Sequence, residues 1–211
     1  LTDSGSFATM ITSKNSTSFE LLLSSPTENE HYWADFLVAP VGPKAGIQQI
    51  FTDDFVDVIL PIPQANSNYP LLITIQNIVD TDVSKYAYTI VEKTPTSFKV
   101  KFSDLVDNGS FYLNWIIPDS GIIQTTQLTS QEQVISFSNE ERNNFYSISA
   151  SIVNTVDNNS SQYLFTIVDK TKENFKIKIN SPPDSTNYYV IWNLHRYKQA
   201  EDEICVTDTT S

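Results

Sequence analysis

Cysteine and histidine are nearly missing from this chain. It has one Cys, Cys205, and two His, His31 and His195, in 211 residues. One cysteine excludes an intrachain disulfide and a multi-cysteine zinc site, and two histidines leave little for an imidazole-rich metal centre. Glycine is scarce too, at 5 residues, so turns must fall to Asn, Asp, Ser and Pro. No apolar run reaches the roughly 18 residues of a membrane helix, so no membrane span is expected. No signal peptide opens the chain, which starts at Leu1 and reads as a piece of something longer. Basic residues are outnumbered, with 13 Lys and Arg against 25 Asp and Glu and a net charge of −12. That balance argues against a general nucleic-acid binder, whose affinity rests on neutralising phosphates.

Catalytic signatures are missing as well. The chain has no Gly-rich phosphate loop, no G-x-S-x-G elbow and no H-E-x-x-H helix. No enzymatic activity and no cofactor are expected. The short acidic pairs Asp53-Asp54, Asp80 with Asp82, and Glu201-Asp202-Glu203 read as solvated loops; a calcium site at Asp80 and Asp82 is the sharper alternative. His31 and His195 read as partly exposed strand-end residues. The sequons at Asn15, Asn108, Asn158 and Asn159 are expected by chance in a chain this rich in Asn and Ser.

What is present is a repeat. An isoleucine, a lysine three residues on and a phenylalanine five further recur as Ile11, Lys14, Phe19, then Ile90, Lys93, Phe98, then Ile167, Lys170, Phe175. An aromatic follows each phenylalanine by seventeen residues: Phe36, Trp115, Trp192. The second and third copies extend upstream, where Val58, Leu60, Tyr69 and Ile75-Gln76-Asn77 match Ile135, Phe137, Tyr146 and Ile152-Val153-Asn154. Such self-similarity marks an array of small modules.

The modules read as strands. Phe98-Lys99-Val100-Lys101-Phe102 and Phe175-Lys176-Ile177-Lys178-Ile179 alternate apolar and charged residues, one face for a core and one for solvent. The predicted fold is all-β: tandem antiparallel β-sandwich modules of six or seven strands, the first one incomplete. The predicted boundaries are 1–45 for the C-terminal half of a first module, 54–120 and 132–198 for two full modules, and 199–211 for a flexible tail. Linkers are expected near Val41 to Asp53 and Asp119 to Glu132, the second polar and rich in Thr and Gln.

In the closing strands, Phe111, Leu113 and Trp115 form the predicted inward set. The opposite phase carries Trp33 with Asp35, Tyr112 with Asn114, and Tyr189 with Ile191. Trp33, Asp35, Tyr112, Asn114 and Tyr189 are the candidate contact residues, because aromatic faces beside amides or carboxylates suit sugars and partner chains alike. The plain alternative is a sheet covered on both faces. Lys99, Lys101, Lys176 and Lys178 form a second candidate, an outward basic ladder. It suits a solvated face that discourages edge pairing, or a contact with acidic glycans or a neighbouring acidic subunit.

The late strands Phe98-Lys99-Val100-Lys101 and Phe175-Lys176-Ile177-Lys178, with closing strands Tyr112-Leu113-Asn114-Trp115 and Tyr189-Val190-Ile191-Trp192, resemble the second half of H-type lectin domains. They are also similar to the β-sandwich modules of bacteriophage tail fibres and receptor-binding proteins. The resemblance implies a six-stranded antiparallel sandwich, a homotrimer, and glycan binding near subunit contacts. The function expected on this basis is that of a virion appendage, located on the particle surface and adhering to a host-surface glycan or protein receptor. The alternatives are a secreted or cell-surface lectin or adhesin, and an accessory carbohydrate-binding region of a larger enzyme.

Overall fold

The computed structural model describes residues 9–23, 38–51, 54–77, 86–118, 122–143, 146–157 and 160–196. The protein is all-β, with no helix among the described residues. Two six-stranded units repeat one plan. The first contains β3 (Ala45–Gln49), β4 (Phe55–Ile59), β5 (Leu72–Gln76), β6 (Tyr88–Lys93), β7 (Ser97–Phe102) and β8 (Tyr112–Ile116). The second contains β9 (Ile122–Gln127), β10 (Glu132–Ser136), β11 (Tyr146–Val153), β12 (Phe165–Lys170), β13 (Asn174–Ile179) and β14 (Tyr189–Arg196). Within the first, β3-β8-β5 faces β4-β7-β6; within the second, β9-β14-β11 faces β10-β13-β12. Before them stands a hairpin of β1 (Thr9–Lys14) and β2 (Phe19–Leu23), the counterpart of β6-β7 and β12-β13.

Two strands lie where the sequence suggested linkers. Both β3 and β9 fall inside the stretches 41–53 and 119–132. Their Gln and Thr residues mask the strand pattern; each sits at a sheet edge and is held by its pairing with β8 or β14. Gly46 of β3 lies opposite Trp115, and a Cβ there would sit 2.6 Å from the indole ring.

The cores follow the period-two pattern. One gathers Val56, Val58, Ile73, Ile75, Ile90, Phe98, Val100, Phe111, Leu113 and Trp115, all buried. The other gathers Ile135, Ile148, Ile152, Phe175, Ile177, Tyr188, Val190 and Trp192. The same edge-on aromatic pairs recur: Phe98 with Trp115 at 5.9 Å and Phe175 with Trp192 at 5.1 Å, Tyr86 with Phe111 at 5.4 Å and Tyr163 with Tyr188 at 5.0 Å. Such pairs contribute beyond the area they bury.

The repeated lysine also has a physical role. The Nζ of Lys93 donates to the Tyr69 carbonyl and lies 4.3 Å from that tyrosine's ring centre. The Nζ of Lys170 donates to the Tyr146 carbonyl at 2.7 Å and lies 5.4 Å from its ring. Each tyrosine hydroxyl then donates to the hairpin, Tyr69 to the Ser97 carbonyl and Tyr146 to that of Asn174. Burial lowers Lys93 to about 8 and raises Tyr69 and Tyr146 to about 12. In the turns, a side-chain oxygen takes over from glycine. Asn15 Oδ1 accepts from the amides of Thr17 and Ser18, Thr94 Oγ1 from Thr96 and Ser97, and Thr171 Oγ1 from Glu173 and Asn174.

Candidate functional site: the seam between modules

Sheets do not stop at module boundaries. The six-stranded sheet β4-β7-β6-β11-β14-β9 joins the hairpin sheet of one unit to the closing sheet of the next. The five-stranded sheet β2-β1-β5-β8-β3 does the same one step earlier. Both joints are parallel, where antiparallel pairing throughout was expected. Ile90 pairs with Val153, and Ile11 with Gln76. These are equivalent positions in successive copies, so the register is the same. In each joint an asparagine closes the ladder: Asn77 donates its backbone amide to the Ile11 carbonyl at 3.0 Å, and Asn154 donates to that of Ile90 at 2.9 Å.

At the second joint the shared sheet serves two cores, one on each face. In β14, Val190, Trp192 and Leu194, with Tyr188 just before the strand, point into the unit's own core, while Ile191 belongs to the core of the preceding unit. Val153 of β11 joins that preceding core too. Side-chain hydrogen bonds lock the joint: Ser151 Oγ donates to the Leu71 carbonyl, and Thr89 Oγ1 donates to the Ser161 carbonyl at 3.0 Å. Ser151 and Thr89 are both buried.

Comparison with protein-family models, curated proteins and solved structures returns no match.

The candidate contact residues sit around these seams. Tyr112 and Asn114 are half-buried on the outer face of β8. Asn114 Nδ2 donates to Gln76 Oε1 at 3.2 Å, so the amides of β8 and β5 engage each other. Tyr189, the counterpart of Tyr112, is 38% exposed, and its strand partners are Val153 and Gln127. Trp33 and Asp35 lie outside the described residues, as do His31, Asp53, Asp80, Asp82, Cys205 and the acidic 201–203 stretch.

The lysine ladder is matched by carboxylates. Lys99 Nζ lies 3.3 Å from Asp57, Lys176 Nζ 2.8 Å from Asp169, and Lys178 Nζ 3.1 Å from Glu132. The bond that Lys176 donates to Asp169 raises the Lys176 pKa. Lys101 lies 5.6 Å from the centre of the Phe55 ring. The four cations therefore do not project as a free basic stripe.

Other polar groups serve architecture. Asp157, the counterpart of Asp80, accepts hydrogen bonds from Asn154 Nδ2, Ser185 Oγ and Asn187 Nδ2, and these hold its carboxyl below the usual range. Glu141 receives a two-pronged bond from Arg196 at 2.6 and 2.8 Å, which lowers its pKa. His195 is half-buried near the end of β14 and lines an open groove of about 580 Å³ with Pro40, Val41, Ile116 and Pro118.

The sequence gives the seam residues Thr89 and Ser151 no role, whereas it places Ile191 in the outward phase, for which a sheet covered on both faces is the plain alternative. The joint itself left a signal: Ile75-Gln76-Asn77 and Ile152-Val153-Asn154 align in the repeat, and the asparagine follows both strands.

Proposed function

We propose that this chain is a non-enzymatic, load-bearing array in a virion appendage, a tail fibre or receptor-binding protein that reaches a host surface and adheres to it. The observation that carries this reading is the sheet running through the second joint, with its two faces committed to two cores. Hydrogen bonds along a continuous sheet resist bending at a boundary where a loop linker would hinge. An appendage needs that stiffness to project its contact surface, and repetition supplies reach. Many weak contacts then add up through avidity. Tyr112 and Tyr189 are the first contact candidates, and threefold assembly belongs to the same reading.

Three measurements test it. Small-angle scattering should give one rigid elongated particle, and sedimentation should give three chains per particle. Fluorescently labelled protein should decorate host cells, with Tyr189→Ala reducing the signal. A flexible monomer that binds no cell surface would defeat the reading.

A secreted lectin is the second reading, favoured by the half-buried Tyr112 beside the Asn114 and Gln76 amides. A glycan array separates the two. Sugar binding lost in Tyr112→Ala, without any particle association, supports the lectin.

A further inference from the structure

The parallel joint occurs twice at equivalent positions, and the third such position lies at the outer edge of β12. The three hairpins are β1-β2, β6-β7 and β12-β13. The edge of β1 receives β5 and the edge of β6 receives β11. In the third sheet, β10-β13-β12, no described strand lies beyond β12.

Strand geometry sets which groups face that edge. The Leu164 carbonyl accepts from the Asn180 amide at 3.0 Å, so Leu164 points toward β13. Alternation along the strand turns the backbone groups of Phe165 and Ile167 the other way. Ile167 is the counterpart of Ile11 and Ile90, whose carbonyls accept the asparagine amides in the two formed joints. The core beneath tells the same story. Ile90 is 0% exposed in a core that Val153 and Ile191 of the next unit complete. Ile167 is only partly buried against its own core, and Phe165 is half-buried as its counterpart Tyr88 is in the formed joint.

We propose that the outer edge of β12 is a docking site for the third strand of a further module of this kind. That strand enters parallel, with its penultimate residue opposite Ile167 and a terminal asparagine donating to the Ile167 carbonyl. Its module adds two apolar side chains over Phe165 and Ile167, as Val153 and Ile191 do one step earlier. A second molecule of this chain is a poor source, because its β5 already holds β1 and its β11 already holds β6. The assignment stands on sheet geometry and does not need the virion reading.

The test uses the full chain and a synthetic peptide with the sequence of residues 146–154. Hydrogen exchange should show new protection at residues 165–168 when the peptide is added. Ile167→Pro removes the outward amide and leaves the inner ladder to β13, and it should abolish that protection. Tryptophan fluorescence, to which Trp192 of the same unit contributes, checks that this variant keeps its fold. A peptide methylated on the Asn154 backbone nitrogen tests the same bond with the protein unchanged, and should bind at least tenfold more weakly. No protection at 165–168, or equal binding of the methylated peptide, overturns the proposal. So does self-association of the chain alone that protects 165–168, since the occupant would then be a second copy.

Discussion

Asn114 and Ile191 occupy the same place in two modules, on the outer face of the closing strand, and they meet different neighbours. Asn114 bonds the amide of Gln76, whereas Ile191 and Val153, the counterpart of Gln76, are buried in the core of the preceding unit. One backbone joint is thus built with two chemistries. A parallel ladder and a closing asparagine are common to both, and the side chains on the shared face set how far two cores merge. The apolar version makes the preceding core depend on the following unit, because burial of Ile191 stabilises a unit to which its strand does not belong. The polar version ties β8 to β5 within one unit, and across that joint Met10 of β1 is buried in the following unit's core.

The sharpest way to break the comparison is through the paired core tryptophans. Trp115→Ala and Trp192→Ala should each cost about 3–5 kcal/mol. If the apolar seam couples the units, chemical denaturation should show both losing stability together, with Trp192 fluorescence reporting on Trp115→Ala once Trp33 is replaced by Phe in both proteins. Two separate transitions would show that the seam transmits little. Ile191→Ala comes next, at about 2 kcal/mol or more, and the loss should appear in hydrogen exchange of β7 and β8 in the preceding unit. Asn114→Ala, at the equivalent place, should cost only about 1 kcal/mol. Gly46→Ala forces a methyl against the Trp115 ring and should cost about 1–3 kcal/mol. The other unit has Gln124 opposite Trp192 and should tolerate Gln124→Ala.

A pH series sharpens the same comparison at smaller scale. Burial lowers Lys93 to about 8. Between there and its ordinary value near 10.5 the unfolded chain holds more protons than the folded one, so stability rises with pH across that window. Tyr69 and Tyr146, raised to about 12, act with the opposite sign. Above about 10 the unfolded tyrosines ionise first and stability falls. Urea titrations from neutral to alkaline pH should show the rise and then the fall, and Lys93→Met should remove the rise. The smallest effect belongs to the ladder: Lys99→Ala should leave the unfolding midpoint within experimental scatter, as exposed ion pairs do.

Periodicity made the strands and their inward faces legible. Phe98, Val100, Phe102 and Phe175, Ile177, Ile179 are buried as their alternation indicates, because one buried face forces a period of two. The repeated Ile-Lys-Phe phrase likewise marked equivalent hairpins. The edge strands β3 and β9 were not legible, since their Gln and Thr residues give no apolar alternation, unlike the edge strand β4. The charge pattern of Lys99, Lys176 and Lys178 was visible, but their acidic partners Asp57, Asp169 and Glu132 come from other strands or across a bulge.

By itself, then, the order of residues determined an all-β chain of repeated units with a given inner face, because burial and strand propensity act locally along the backbone. Only the tertiary structure decided what covers the outer face. That choice depends on which strand edge meets which, and parallel pairing of Ile90 with Val153 joins residues sixty-three positions apart with no local signature.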